Sequence, residues 1–159
     1  MVSKSRVVEI LSNVGSEFTL EEVVSKLGIS HKTAKKYLRD LLKAGYIAVK
    51  NEKYVISEKG YLLLEATRVK NVSASVDQAY VFTDENGAPF ILKIDTITKL
   101  YVAVKYSLVP ENIVKQHLEK GYLTKWISEV LGAKILSENL ANIKSIKELI
   151  ELLEDYLAI

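Results

Sequence analysis

Apolar residues in the first 45 positions recur at the 3.6-residue spacing of amphipathic helices. A first helix can begin after Ser3 or Ser5. Thr19 and Ser30 each precede another apolar stripe and are favourable N-cap residues. Gly28, between the second and third stripes, suits the left-handed backbone that lets a chain leave a helix and turn sharply. The pattern predicts three helices, the second and third forming a tight helix-turn-helix.

Each of these helices has one apolar face, which we expect to lie in a shared core. Charged residues occupy the opposite faces. The residues predicted to be buried are Val7, Val8, Ile10, Leu11 and Val14 in the first helix, Leu20, Val23, Val24 and Leu27 in the second, and Ala34, Leu38, Leu41 and Leu42 in the third.

After Gly45 the period changes from 3.6 to 2, which is typical of strands. The segments 46–49 and 54–56 are therefore predicted to form a short hairpin with a polar, basic tip. Ser57 can cap a fourth helix, EKGYLLLEATRV, whose apolar residues cover more than half of its circumference and are interrupted only by Glu65. A second surface is expected to cover part of this helix.

Residues 71–78 are small or polar and show no period, so they are predicted to be a linker. The following region, 79–159, begins with a hairpin around Asn86-Gly87, a strong turn signal. Asp95 is expected to cap a helix. Several further helices follow, and the last one begins after Ser145.

Positive charge is concentrated in the first half of the chain. Residues 1–70 hold 13 Lys and Arg and 8 Asp and Glu, a net charge of +5, whereas residues 71–159 hold 9 and 12, a net charge of −3. This asymmetry suggests a module that faces nucleic acid, joined to a region that meets a different partner.

The third predicted helix carries most of the candidate chemistry. Basic residues occupy positions that its apolar pattern leaves in solvent, so the helix presents a surface suited to an anionic partner. Asp40 is the only acid among its outward residues. The basic residues are His31, Lys32, Lys35, Lys36, Arg39 and Lys43.

The segment LEEVVSKLGISHKTAKKYLRDLLKAGYI, followed by YVISEKG, resembles the winged helix-turn-helix family of DNA-binding domains, in particular archaeal transcriptional regulators of that fold. The resemblance covers residues 4–69. It implies major-groove contacts from the third helix, with Arg39 the best candidate for reading guanine. The recognition-helix contacts implied are His31, Lys32, Thr33, Lys35, Lys36 and Arg39, and the wing contacts are Lys50, Asn51 and Lys53.

Two alternatives compete with DNA binding. The lysines can be an ordinary solvated helix face, and a winged helix can serve as a protein-interaction module within a larger complex. If the domain does bind DNA, a homodimer is expected, because one recognition helix reads only a few base pairs.

The second half shows no catalytic apparatus, so we expect no enzymatic activity, no metal site and no cofactor. His117 and Trp126 lie beside apolar neighbours on amphipathic helices and are interpreted as core residues. A hairpin followed by His and Trp-Ile in short helices faintly resembles an uncharacterised archaeal helical domain family. The C-terminal stripe around Leu149 and Leu153 is expected to close the core of this domain or to contribute to a dimer interface.

The sequence contains no cysteine, which excludes disulfides and thiol chemistry. No signal peptide or membrane-length apolar run is present, so a soluble cytoplasmic protein is expected. Abundant Lys, Glu, Ile and Val fit a heat-adapted organism.

We therefore expect a mainly α fold with small β-hairpins (α+β), in two parts. Residues 1–70 would be a winged helix-turn-helix domain, and residues 79–159 a mostly helical domain used for dimerisation, partner contact or ligand sensing. The function expected is sequence-specific transcriptional regulation on double-stranded DNA.

Overall fold

The computed structural model describes residues 1–159, which divide into two compact units, Met1–Leu64 and Glu65–Ile159. The division falls within a helix, α4 (Glu58–Val69), because its second half contacts residues of the second unit. The sequence pattern instead puts the domain boundary after this helix, at residues 70–71. Each unit is described separately below.

Three helices open the first unit, as predicted. Each begins at a side-chain cap: Ser3 Oγ accepts from Arg6 N at 3.3 Å, and Thr19 Oγ1 accepts from Glu22 N at 3.3 Å. Gly28 has φ +62°, as expected of the turn between the second and third helices. The helices are α1 (Lys4–Asn13), α2 (Leu20–Leu27) and α3 (His31–Ala44).

A small antiparallel sheet completes this unit. The predicted hairpin is present as β2 (Ile47–Lys50) and β3 (Lys53–Ile56). A third strand, β1 (Glu17–Phe18), pairs with β3 and was not predicted, because two residues carry no detectable period. The strand order is β1-β3-β2.

The core of the first unit is smaller than the apolar pattern suggests. Val7, Ile10 and Leu11 of α1 are buried, as is the unpredicted Phe18. Leu42 is 37% exposed, so its prediction as a core residue was wrong. It lies at the edge of the α3 face centred on Leu38. Val8, Val14, Leu20, Val24 and Leu27, also predicted to be buried, are only partly so.

The second unit contains one hairpin and the remaining helices. It also includes a single 3-10 turn, Val76–Gln78, within the segment predicted as a linker. That segment is attached to the unit, since Ala74 N donates to Asp95 O at 2.8 Å. The elements are β4 (Tyr80–Thr83), β5 (Pro89–Ile94), α5 (Ile97–Lys105), α6 (Glu111–Glu119), α7 (Tyr122–Glu129), α8 (Lys134–Leu140) and α9 (Ile146–Ala158).

The cap of α5 differs from the prediction. Thr96, rather than Asp95, is the N-cap, and its hydroxyl accepts from Lys99 N at 3.1 Å. Asp95 forms a 2.8 Å ion pair with Lys99, one turn along. This pair lowers the pKa of Asp95, chiefly through the hydrogen bond from Lys99.

Leu149, Leu153 and Tyr156 of α9 are buried in the second unit, so the C-terminal stripe closes its core. α9 begins at Ser145, whose hydroxyl accepts from Glu148 N at 3.2 Å, as predicted. Among the helices of the structure, none combines the length and apolar character required to traverse a lipid bilayer.

Candidate nucleic-acid interface

The start of α3 is fixed by a local hydrogen-bond pair. Ser30 Oγ accepts from Thr33 N at 3.1 Å and donates to Thr33 Oγ1 at 3.0 Å. The Thr33 hydroxyl is therefore already engaged, and the residue is half-buried. Its side chain supports the helix end, whereas the neighbouring His31 and Lys32 are exposed to solvent.

The outward face of α3 is a row of free cations, which we call the basic row. Because these residues are three or four positions apart, they share the face opposite the buried Ala34, Leu38 and Leu41. Each is exposed, and none has a carboxylate within 4.0 Å, since the three ion pairs of the structure lie elsewhere. The basic row comprises Lys32, Lys35, Lys36, Arg39 and Lys43.

The one acid of α3 does not neutralise the basic row. Asp40 is half-buried, and its Oδ2 atom is enclosed without a hydrogen-bond partner. It lines a cavity of about 430 Å³ that Lys4, Lys43 and Lys59 also line, and it forms an ion pair with none of them. One acid stands against the five cations of the basic row, so the exposed face of α3 keeps its positive charge.

The tip of the β2–β3 hairpin adds two more cations. Lys50 and Lys53 are paired directly across the strands, and both are exposed. Asn51 and Glu52 between them have φ values of +52° and +65°, as in a two-residue type I′ turn. Like charges facing each other destabilise a hairpin, so this tip is suited to contact with an anion.

Two other cations of the first unit, Lys59 and Arg6, bind groups of the same unit and are therefore not free like those of the basic row. Lys59 Nζ donates to Ala44 O at 2.7 Å, at the C-terminus of α3, and lies 4.8 Å from the Tyr46 ring centroid. Arg6 pairs with Glu9 at 2.7 Å, and this hydrogen bond raises the pKa of the guanidinium. The partner of Lys59 is 15 positions away, so spacing alone gives no signal for its role.

In the second unit, His117 is buried, as predicted, but its surroundings are aromatic and polar rather than aliphatic. The rings of Tyr80, Phe82 and Tyr122 surround it. Its Nδ1 atom is hydrogen-bonded to the Tyr80 hydroxyl, and Thr83 N donates to its Nε2 atom at 3.2 Å. Both ring nitrogens therefore connect α6 to β4.

Trp126 is also buried, and its indole N–H donates to Gln78 O at 2.7 Å. This bond attaches the 3-10 turn to α7. Burial raises the pKa of the neighbouring Tyr80 phenol. The two core predictions are confirmed, and the contacts of both side chains are those of packing and support.

Three helices, a tight turn before the third helix and a hairpin directly after it define a winged helix-turn-helix domain. The sequence model of a winged helix-turn-helix family matches residues 4–74, which include these three helices and the hairpin. No curated protein and no solved structure matches the chain. A domain of this class indicates a DNA-binding regulator in general terms.

Proposed function

We propose that the protein is a non-enzymatic transcriptional regulator that binds specific sites on double-stranded DNA as a homodimer. The observation that carries this proposal is the basic row, whose five cations are exposed and free of ion pairs on the recognition helix of a winged domain. Cations without protein partners gain the most from phosphate contacts and the release of counterions.

The roles divide by position along α3. His31 and Lys32 lie at its N-terminal end, where backbone amides and the helix dipole also favour phosphate. Arg39 is further along the same face and has the planar donor geometry that reads guanine. Lys50, Asn51 and Lys53 would contact the DNA backbone beside the groove, and Thr33 would act by fixing the start of the helix.

The homodimer follows from what one recognition helix can read. A single helix contacts a few base pairs, whereas two helices related by a two-fold axis read both halves of a palindrome. In this proposal the second unit supplies dimerisation, and the first unit supplies DNA binding.

A salt titration tests DNA binding directly. Binding to a mixed-sequence duplex is measured by fluorescence anisotropy over a range of salt concentrations. The logarithm of the association constant should fall linearly with the logarithm of the salt concentration, with a slope of about −0.9 per phosphate neutralised. The double variant Lys35→Gln/Lys36→Gln should bind more weakly and reduce the slope by about 2.

The matched control is Lys125→Gln/Lys134→Gln, which removes two exposed, unpaired cations of the second unit. Its affinity and slope should equal those of the wild type. No measurable binding at low salt would overturn the proposal and favour the alternative, a winged helix that docks on protein within a larger complex.

A further inference from the structure

A groove of about 600 Å³ runs between α6 and the start of α9 in the second unit. Its α9 wall consists of residues that lie on one helix face because they are spaced at i, i+1, i+4, i+5 and i+8. Ile146 and Ile150 on this face are only partly buried. The wall residues are Ile146, Lys147, Ile150, Glu151 and Glu154.

Charge along this face changes sign from one end to the other. Lys144 lies just before α9, Lys147 is in its first turn, and Glu151 follows one turn later, while Glu111 and Lys115 form the opposite wall on α6. Lys144, Lys147 and Glu151 are exposed, and none of the three forms an ion pair, not even Lys147 with Glu151 of the same helix. Glu154 differs, since it already pairs with Lys105 at 2.9 Å.

We propose that this face of α9 binds the same face of a second copy, antiparallel and related by a two-fold axis. In that arrangement Lys147 of each copy meets Glu151 of the other, and Ile150 packs near the axis in the groove. A parallel arrangement would place like charges together, so the charge order selects the antiparallel one. The inference rests on the proposed homodimer and identifies its surface.

Self-complementary charge favours a second copy over another protein. An isologous contact requires each partner to carry both members of every pair, and this face of α9 carries the unpaired Lys147 and, one turn later, the unpaired Glu151. The partly buried Ile146 and Ile150 supply the apolar centre that a dimer contact needs between its polar edges.

Charge reversal tests this pairing without DNA. The full chain is examined by sedimentation velocity over a concentration series, as wild type, Lys147→Glu, Glu151→Lys and the double variant. Each single reversal makes two symmetric contacts repulsive, so the dimer Kd should rise about a hundredfold. The double variant restores opposite charges across the axis and should dimerise like the wild type.

Mixing gives the sharpest result. Lys147→Glu carries two acids on this face and Glu151→Lys carries two bases, so an equimolar mixture should form heterodimers although neither variant dimerises alone. Rescue of this kind cannot come from a change within one helix. The control Lys125→Glu reverses an exposed charge on α7 and should leave the dimer unchanged. Circular dichroism checks that every variant is folded.

Three outcomes would overturn the proposal: a wild type that stays monomeric, single variants that dimerise normally, or a mixture that stays monomeric. A monomeric wild type would point to another protein as the occupant of the groove. The salt titration of DNA binding does not use these residues, so failure of the α9 pairing and failure of the proposed function are distinguished.

Discussion

The hydroxyl of Tyr156, on α9, donates a 3.0 Å hydrogen bond to Glu65 Oε2, on α4. Glu65 also accepts from the backbone N–H groups of Ile135 and Leu136, at 2.8 and 3.1 Å, and so binds the start of α8. Glu65, the one acid that interrupts the apolar run of α4, is therefore buried, and its carboxylate accepts hydrogen bonds from three donors. It connects three helices of the second unit.

Replacing Glu65 with Ala should destabilise the second unit by about 3 kcal/mol, because the N–H groups of Ile135 and Leu136 and the Tyr156 hydroxyl lose their acceptor. Urea unfolding followed by fluorescence measures this, since Trp126 is the only tryptophan and lies in the second unit. Glu138→Ala is the control, an exposed acid of α8 in the same unit, and should change stability by less than about 0.5 kcal/mol. Equal effects of the two variants would refute the role of Glu65.

Stability should fall in alkaline solution through Tyr156. Burial, and then the negative charge of Glu65, raise the pKa of the Tyr156 hydroxyl above its ordinary value of 10.0. The folded state keeps this proton at pH values where the unfolded state has lost it. The stabilisation is thus complete below about pH 10 and is lost as pH rises above it.

Unfolding free energy measured by urea titration between pH 9 and 11 checks this behaviour. Tyr156→Phe should reduce the slope of unfolding free energy against pH by an amount equivalent to at most one proton. The same change also removes the hydrogen bond to Glu65 and lowers stability at neutral pH. An unchanged slope would show that Tyr156 does not carry the effect. Tyr106→Phe is the control, because that tyrosine is 65% exposed.

Gly60, in the first unit, is required for close packing at the start of α4. A Cβ atom there would lie 2.7 Å from Ile56 Cγ2 and would also overlap the carbonyl oxygen of Tyr46. Gly60→Ala should therefore destabilise the first unit by about 2 to 3 kcal/mol. Thermal unfolding followed by far-ultraviolet circular dichroism measures the loss.

The control for Gly60 is Gly15→Ala, where the nearest atom to the added Cβ is Glu17 O at 3.6 Å, an ordinary contact. That variant should change stability by less than about 1 kcal/mol. Similar melting curves for the two variants would contradict the packing argument.

Local signals were read correctly from the sequence because their causes lie within a few residues. The caps at Thr19, Ser30 and Ser145 and the left-handed Gly28 each act over one helical turn. The predicted N-cap of α5, Asp95, is one residue before the observed N-cap, Thr96, because Asp and Thr are both favourable N-cap residues. In the structure the Thr96 hydroxyl caps the helix, and the Asp95 carboxylate pairs with Lys99 instead.

Long-range contacts could not be predicted in the same way. The strand Glu17–Phe18 exists through pairing with residues 54 and 55, far along the chain. Glu65 looked like a break in an apolar face, since its partners are 70 or more positions away. The basic row was predicted from charge and period, but only the structure distinguishes its free cations from the engaged Lys59 and Arg6.

Arg39 should determine sequence preference, whereas Lys35 should contribute affinity alone. Arg39→Ala is expected to weaken binding to a duplex selected from a random pool by about 1 to 3 kcal/mol. Binding to a scrambled duplex should weaken much less, because only a base contact depends on sequence. Lys35→Ala should weaken both duplexes equally and reduce the salt slope by about 0.9. Anisotropy titrations of both variants on both duplexes measure this. Equal losses for Arg39→Ala would instead make Arg39 a phosphate contact.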